Sequence, residues 1–320
     1  MSGAAHDGSA FRPYWLLTLC LLVLAGMDLL SGDGFSLPQG FIFWKLRLPR
    51  MLTALVAGAS LALAGTQMQA LFRNPLADPH IMGVSGGAGL GAAIASLAVG
   101  TTSAWLSGAG LVGGAFLGAL VSGAIIVAVS ARVKSTGTLL LAGVMLGFVF
   151  SALSSVLQYS AGEESLKLFY SWLAGSFSNA RLSGLAVMAG ALGVGCLLAV
   201  FTRKELDLVL FGDDFATLSG ASLHRLRLLA MLGCALMTGA VTAYCGPIGF
   251  VGIVAPHIAR RLLGTSAHRR VLPAAMISGA GLSLAGDILA QAFRTPLPVG
   301  STLALIGIPL ILVLLWRNRL

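Results

Sequence analysis

The chain has 320 residues, of which 57% are hydrophobic and 10% are charged, and its mean hydropathy is +0.92. An ordinary soluble domain carries about 25% charged residues, so this sequence has too few polar side chains to coat a water-soluble globule. The composition excludes a soluble enzyme, a secreted disulfide scaffold and a disordered chain, and it predicts an all-α, polytopic membrane protein. The net charge of +9 would indicate nucleic-acid binding only in a soluble chain.

Ten membrane spans are predicted from the charge-free intervals, since a helix needs about 20 mainly apolar residues to cross the hydrocarbon core. The interval 79–131 contains no Asp, Glu, Lys or Arg and is divided at Thr101-Thr102-Ser103. The interval 228–259 is divided at Gly246-Pro247-Ile248-Gly249. The predicted spans, which form one transmembrane domain over residues 1–320, are 14–30, 51–71, 81–100, 105–130, 138–158, 182–202, 228–244, 250–263, 271–293 and 299–316.

The basic residues favour an orientation with both termini in the cytoplasm. An even number of spans places the termini on one side, and Lys and Arg are retained preferentially in cytoplasmic loops. Of the 20 basic residues, those left outside are Lys45, Arg47, Arg50, Lys167, Arg181 and Arg294. The positive charge is therefore assigned to membrane topology, and nucleic acid is not expected as a partner.

Glycines recur every four residues at Gly110, Gly114 and Gly118, and again at Gly143 and Gly147. Small residues at this spacing let helix backbones approach closely in lipid, where no hydrophobic force drives helices together. The spacing favours helix packing as the role of these glycines over the lining of a pore.

The sequence contains no catalytic constellation and no metal-ligand cluster. No lysine follows a glycine, so a Walker A phosphate-binding loop is excluded. The four cysteines form no C-x-x-C pair, and the five histidines lack metal-ligand spacing. Asp287 lies well inside a span, and two interpretations stay open for it: an interhelical partner for an arginine, or the coupling carboxylate of an ion-gradient-driven secondary transporter.

Two outer segments are richer than simple connections. Arg47 and Arg50 lie at the start of the second span, where both the helix dipole and the positive-inside trend disfavour positive charge. Two arginines in an electrostatically unfavourable place favour the docking of an acidic external partner. The alternative is that their side chains snorkel to the membrane interface. The segment 164–177 predicts an interfacial helix. Its apolar residues at helical spacing are Leu166, Phe169, Tyr170 and Leu173.

The longest inner connection, residues 203–227, predicts a small amphipathic platform. Gly212 and Gly220 punctuate two short helical pieces. Their apolar anchors are Leu206, Val209, Leu210 and Leu218. A helix-turn-helix of this size on the membrane face fits a groove on a soluble partner.

A weak internal repeat relates the two halves of the chain. Arg50 precedes Gly58 by eight residues, as Arg225 precedes Gly233, and Pro-His-Ile follows in each half, at 79–81 and 256–258. In the ten-span arrangement the two copies run in opposite directions, which is typical of inverted repeats in transporters.

Several long motifs in order resemble the permease subunits of the ABC importers that take up vitamin B12, haem and ferric siderophores. The motifs are RLPR at 47–50, AGASLALAGTQMQALFRNPLADP at 57–79, GVSGGAG at 83–89, LLLAGV at 139–144, GPIGFVGIVAPHIAR at 246–260 and LPVGSTLALIGIP at 297–309. The resemblance covers the chain from about Arg47 to Trp316.

The resemblance implies a type II ABC importer permease fold of ten helices in the bacterial inner membrane, with a weak inverted repeat. It implies a homodimer around a translocation path, two ATPase subunits docked inside and a periplasmic substrate-binding protein docked outside. ATP and magnesium would belong to the ATPase, and this chain would bind no cofactor and no metal; its other contact is membrane lipid. The expected cargo is a metal chelate, with haem or a ferric siderophore favoured over cobalamin.

The resemblance also implies roles for individual residues. ATPase coupling falls on Leu206, Asp207, Gly212, Asp213, Asp214, Leu218 and Gly220. Cytoplasmic gate loops beside the path contain Asn74, Leu76, Ser135, Thr136 and Gly137. Docking of the binding protein falls on Arg47 and Arg50, matching the outer anomaly. Family members commonly carry an arginine four residues after the aspartate of the ninth span; here that position is Gln291, and Arg294 is expected to substitute in docking.

Overall fold

The computed structural model describes residues 7–31, 40–99, 104–133, 135–179, 182–293, 295 and 297–317, and within these ranges the regular structure is helical. Its α-helices are α1 (Asp7–Leu30), α2 (Gly40–Ile42), α3 (Leu48–Phe72), α4 (Val84–Val99), α5 (Ala104–Arg132), α6 (Thr136–Tyr159), α7 (Glu163–Leu173), α8 (Leu182–Val209), α9 (Asp213–Leu218), α10 (Leu223–Cys245), α11 (Val251–Leu263), α12 (His268–Gln291) and α13 (Val299–Arg317). A π-helical stretch, Phe43–Arg47, joins α2 to α3. Single 3-10 turns occupy Pro79–Met82 and Phe177–Asn179.

The predicted all-α membrane architecture is confirmed, and each predicted span coincides with one helix. In the described residues, seven helices are long and apolar enough to cross a membrane, and the apolar stretches of α4 and α13 are shorter. Helix α11 has 13 residues, which gives it a length of about 20 Å at 1.5 Å per residue. Because the hydrocarbon core is about 30 Å thick, α11 covers about two thirds of it, and the non-helical residues 246–250 precede α11 in the same charge-free interval.

The core lies around α3, α10 and α12. In their most apolar windows 72%, 72% and 67% of residues are buried inside the protein, against 6% for α1 and 22% for α6 and α8. The central helices are rich in Ala, Gly, Ser and Thr, which permit close packing, whereas the outer helices present large apolar side chains at the surface. The outer helices therefore supply the lipid-facing surface, and the central helices position the polar sites at the two ends.

The predicted role of the glycines in helix packing is confirmed at the contact between α4 and α5. A Cβ atom added at Gly91 would lie 2.0 Å from the carbonyl oxygen of Gly114, and one at Gly118 would lie 2.1 Å from that of Gly87. Gly143 and Gly147 lie 3.0 to 3.2 Å from Cβ atoms added at Gly83 and Gly86, and a Cβ atom added at Gly110 would have nothing within 4 Å. A side chain at Gly91 or Gly118 would force the backbones of α4 and α5 apart.

The internal repeat appears in the packing of the helices. The repeat pairs α3 with α10, α4 with α11 and α5 with α12. The contact of α3 with α12 is therefore matched by that of α10 with α5, and the contact of α4 with α5 by that of α11 with α12. The two Pro-His-Ile copies nevertheless differ locally, because Pro79 begins a 3-10 turn whereas Pro256 lies inside α11. His80 Nε2 contacts the carbonyl oxygen of Ile248 at 2.6 Å and so ties the first half of the chain to the second.

The predicted interfacial segment 164–177 contains α7, which ends at Leu173. Its Ser165, Phe169 and Trp172 are buried, and Trp172 Nε1 donates to the carbonyl oxygen of Ala243 at 3.1 Å. Tyr170 and Leu173 are exposed. The expected single apolar face is therefore corrected: one face of α7 is anchored on α10, and only the other is free to meet the membrane surface.

Candidate functional site

The inner connection between α8 and α10, called the coupling platform below (residues 203–227), contains one separate short helix rather than two. Helix α8 continues to Val209, so the first predicted piece is its last two turns, and α9 is the second. Gly212 and Gly220 have φ angles of +115° and +86°, a region that L side chains rarely adopt. The two glycines therefore set the ends of α9, as the sequence predicted.

Asp213 fastens the coupling platform to the rest of the protein. Its Oδ2 accepts from Arg227 Nη2 at 3.0 Å, and its Oδ1 lies 3.4 Å from Arg73 Nη2. Arg227 is largely buried and also donates from Nη1 to the carbonyl oxygen of Val133 at 3.3 Å. Arg73 directly precedes Asn74, and Val133 lies two residues before Ser135. One carboxylate therefore connects α9 with both predicted gate loops.

Leu206 and Asp207, both predicted to take part in ATPase coupling, differ in exposure. The Leu206 side chain is completely buried, whereas that of Asp207 is 39% exposed. Asp207 Oδ1 accepts from the backbone nitrogen of His268 at 2.8 Å and contacts His268 Nδ1 at 2.6 Å. Asp207 therefore holds the first residue of α12, and the coupling role of both residues stays a prediction.

The outward surface of the coupling platform is apolar. Leu218 is 89% exposed and Phe211 is 75% exposed. The rings of Phe211 and Phe215 lie 5.5 Å apart and form one patch, with the exposed Asp214 between them in the sequence. An exposed apolar patch rimmed by polar residues marks an interaction site. Phe211 and Phe215 are not among the apolar anchors predicted from the sequence. Val209, which is among them, is buried.

The first gate loop follows α3, which ends at Arg73 in the left-handed conformation with φ of 48°. The Asn74 side chain accepts from the Leu76 nitrogen at 2.9 Å, which forms a tight polar turn, and Leu76 is 42% exposed. The second gate loop leads into α6, where the Ser135 hydroxyl accepts from the Thr138 nitrogen at 3.4 Å. Both loops are short and directly joined to residues that contact the platform.

The second gate loop also contains Thr136 and Gly137, the first two residues of α6. Thr136 is half-buried and Gly137 is exposed. The structure thus places all five predicted gate residues at helix ends on the same side of the protein as the platform.

At the opposite end, Arg50 is engaged inside the protein instead of being free at the surface. Its Nε and Nη2 atoms donate to Asp287 Oδ2 and Oδ1, each at 2.8 Å. The Asp287 side chain is completely buried, and that of Arg50 is 18% exposed. The interpretation of Asp287 as the partner of an arginine is confirmed, and Arg50 joins α3 to α12; its expected docking role stays a prediction.

Gln291 completes this outer arginine network. Its Nε2 donates to Asp287 Oδ2 at 2.9 Å and to Asp28 Oδ1 at 3.2 Å, and Asp28 is also buried. Arg47 Nη1 donates to the carbonyl oxygen of Leu29 at 2.9 Å. The network therefore joins α1, α3 and α12, and Arg47 braces the end of α1. Arg294 lies outside the described residues.

Comparisons with known proteins agree with this arrangement. A profile of the FecCD transport family matches residues 15–317. The chain is 38% identical to the vitamin B12 import system permease protein BtuC of Klebsiella pneumoniae, over 95% of this chain and 94% of that protein. It is 37% identical to the hemin transport system permease protein HmuU of Yersinia pestis, over 87% and 84%.

Two further matches widen the comparison. The Fe(3+) dicitrate transport system permease protein FecC of Escherichia coli K12 is 36% identical, over 95% of this chain and 93% of that protein. A solved structure described as an inward-facing conformation of a putative metal-chelate type ABC transporter is similar with a TM-score of 0.86 and 32% identity, covering 96% of this chain and 99% of the other. Both matches extend over nearly the whole of each chain.

Proposed function

Because this chain belongs to the FecCD transport family, we propose that it is the membrane permease subunit of an ATP-driven importer that carries a metal chelate into a bacterial cell. The observation that carries the proposal is the platform connected to both gate loops through Asp213. A transport subunit driven by a separate ATPase needs such a connection, since force applied to its inner surface must reach the gate.

The proposed complex contains two copies of this chain, two ATPase subunits and one periplasmic substrate-binding protein. The apolar patch of the platform supports an ATPase contact, and the named relatives are permease components of import systems. The complex lies in the inner membrane, with both termini of the permease in the cytoplasm. ATP and magnesium are held by the ATPase subunits, and this chain supplies no catalytic group.

In the proposed mechanism the ATPase moves α9, and Asp213 passes this movement on in two directions. Arg73 carries it to the loop of Asn74 and Leu76, and Arg227 carries it through Val133 to the loop that contains Ser135. The contact of Asp213 with Arg227 is a charge-assisted hydrogen bond, which is directional and transmits displacement better than an apolar contact would, and the contact with Arg73 is an ion pair.

An iron chelate, haem or a ferric siderophore, is the proposed cargo ahead of cobalamin. The named relatives include permeases for hemin, ferric dicitrate and vitamin B12, at 37%, 36% and 38% identity, which supports the metal-chelate class, and uptake decides the order within it. The test is uptake of haemin, ferric citrate and cyanocobalamin by proteoliposomes that hold the permease, its ATPase and its binding protein. Uptake is expected only with ATP and to persist when ion gradients are collapsed. Uptake by the permease alone, driven by a gradient, would overturn the proposed class.

Changing Leu218 to Asp is expected to release the ATPase from the permease. Leu218 is 89% exposed at the tip of the apolar patch, and truncating a central apolar contact of an interface costs about 2 kcal/mol or more. Binding of the ATPase to detergent-solubilised permease should weaken by roughly 30-fold. Ser219→Asp is the matched control, because it adds the same charge at the adjacent exposed residue and keeps the leucine. Equal losses in both variants would remove the patch from the interface.

On the outer face, Arg47→Glu is expected to weaken binding of the substrate-binding protein. Arg47 is half-buried and Lys45 is exposed, and both add positive charge to the outer face. Reversal of a charge at the rim of an interface acts mainly on the association rate and its salt dependence. We expect about tenfold weaker binding and a flatter response to salt, measured by surface plasmon resonance. Lys204→Glu, the same charge change on the inner face, should have no effect.

A further inference from the structure

A basic pocket of about 790 Å³ lies where the ends of α3 and α11 meet the start of α12. Its charged and imidazole side chains are Arg73, His257, Arg260, Arg261 and His268. Among the described residues that line it there is no aspartate or glutamate. Its volume is in the range of about 300 to 1,000 Å³ that small-molecule sites occupy. The pocket therefore has the charge and the size for an anionic ligand.

Arg260 is held in place by a neutral side chain. Its Nη2 donates to Gln69 Oε1, and Gln69 is itself fixed, since its Nε2 donates to the carbonyl oxygens of Gly252 and Ile253 at 3.3 and 3.2 Å. An amide orients a guanidinium without cancelling its charge. Arg260 thus brings a positive charge to the pocket on a rigid support.

His268 supplies a second, independent sign of a ligand. The residue is 1% exposed, and its Nδ1 contacts Asp207 Oδ1 at 2.6 Å, where the carboxylate can only accept the hydrogen bond. Its Nε2 is buried and has no hydrogen-bond partner among the described residues. Buried polar atoms are rarely left unpaired in native proteins. With Nδ1 committed to Asp207, Nε2 is the ring atom that remains for a ligand.

We propose that the basic pocket binds a phosphate group, carried by the headgroup of an anionic phospholipid or by free phosphate. The Arg260 fork can bind two phosphate oxygens. Because His268 is buried, its neutral form is favoured, with the Nδ1 proton donated to Asp207 and Nε2 left as an acceptor. Nε2 can accept from a ligand hydroxyl, which hydrogen phosphate and the glycerol headgroup of phosphatidylglycerol both carry. Basic pockets at the cytoplasmic ends of membrane helices bind phospholipid headgroups by this chemistry.

The pocket lies next to residues that connect the coupling platform to the gate loop. A bound ligand could therefore affect transport, whichever chelate is carried. Arg73, which pairs with Asp213, and Leu210 of the coupling platform both line it. A bound phosphate group would compete with Asp213 for Arg73 and would therefore act on the connection between platform and gate loop.

The experiment uses the full-length, delipidated permease in detergent. Native mass spectrometry measures binding of phosphatidylglycerol and of phosphatidylcholine, and thermal unfolding measures protection by inorganic phosphate. His268→Asn is the informative variant, because the shorter amide keeps a donor for Asp207 and removes Nε2. Arg260→Lys keeps the charge and removes the fork. Arg269→Gln is the matched control, since Arg269 is exposed, adjacent to His268 and outside the pocket.

We expect at least one phosphate probe to bind and its affinity to fall tenfold or more in His268→Asn and Arg260→Lys but not in Arg269→Gln. Selective binding of phosphatidylglycerol identifies the lipid as the source, and protection by inorganic phosphate alone identifies the free anion. The proposal is overturned if neither probe binds, if Arg269→Gln is equally impaired, or if the pocket variants only weaken association of the ATPase.

Discussion

Asp213→Asn is expected to separate ATP hydrolysis from uptake in the assembled transporter. The asparagine keeps the size of the side chain but cannot form ion pairs with Arg227 and Arg73. The hydrogen bond with the largely buried Arg227 contributes about 1.5 to 3 kcal/mol, whereas the pair with Arg73, whose side chain is 40% exposed, contributes no more than about 1 kcal/mol. Since 1.4 kcal/mol corresponds to a factor of ten, chelate uptake should fall by about tenfold or more while the ATPase continues to turn over.

The measurement is uptake and ATP hydrolysis on the same proteoliposomes. Asp214→Asn is the matched control, because Asp214 is adjacent, exposed and without an ion pair in the described part of the chain. Arg227→Gln should reproduce the defect, since it releases both Asp213 and the carbonyl oxygen of Val133. If Asp213→Asn leaves the ratio of uptake to hydrolysis unchanged, Asp213 does not transmit movement to the gate.

The positions of the helices were predictable because ten apolar intervals separated by charge or by Gly and Pro leave little choice in a membrane. The length of α11 was harder to predict. The turn before it and the two arginines near its end shorten the helix, but its composition stays that of a longer apolar helix. The ends of α9 were predictable because Gly212 and Gly220 occupy conformations that favour glycine. Helix positions and helix ends could therefore be predicted where nearby residues in the sequence determine them.

Contacts between residues far apart in the sequence could not be predicted. Arg50 and Asp287 are 237 residues apart. A positive charge at the outer start of the second span is compatible both with a partner at the surface and with a partner inside the protein. Arg73 and Arg227 were counted only as inner charges, because nothing in their neighbourhoods indicates that both reach Asp213. Leu206 and Val209 are buried, as apolar anchors can be, but the continuation of α8 to Val209 does not follow from their spacing.

Removing either member of the pair between Arg50 and Asp287 is expected to destabilise the permease strongly. Arg50→Leu leaves the buried carboxylate of Asp287 without its ion-pair partner, and Asp287→Leu leaves the largely buried guanidinium of Arg50 without its own. Breaking a buried ion pair by removing one partner costs about 3 to 5 kcal/mol. Each single variant should therefore unfold at lower temperature and give less folded protein in detergent.

The double variant, Arg50→Leu with Asp287→Leu, should be less destabilised than the sum of its parts. Replacing both partners of a buried pair with apolar groups removes the uncompensated charge, and such exchanges are often nearly neutral. A thermal-unfolding double-mutant cycle should therefore give a coupling energy of about 1 to 3 kcal/mol. Lys45→Leu is the control; this exposed lysine lies one turn from Arg50, and its loss should change stability by no more than about 0.5 kcal/mol.

The same cycle distinguishes a structural role for Asp287 from a coupling role in a secondary carrier. If the pair serves to hold α3 against α12, the folded double variant still requires ATP for uptake, because its platform and gate loops are unaltered. If Asp287 carried a coupling proton, the double variant would fold and lose uptake completely. Gln291 sharpens the distinction, since it bridges Asp287 and Asp28; Gln291→Leu should therefore lower stability without changing the dependence of uptake on ATP.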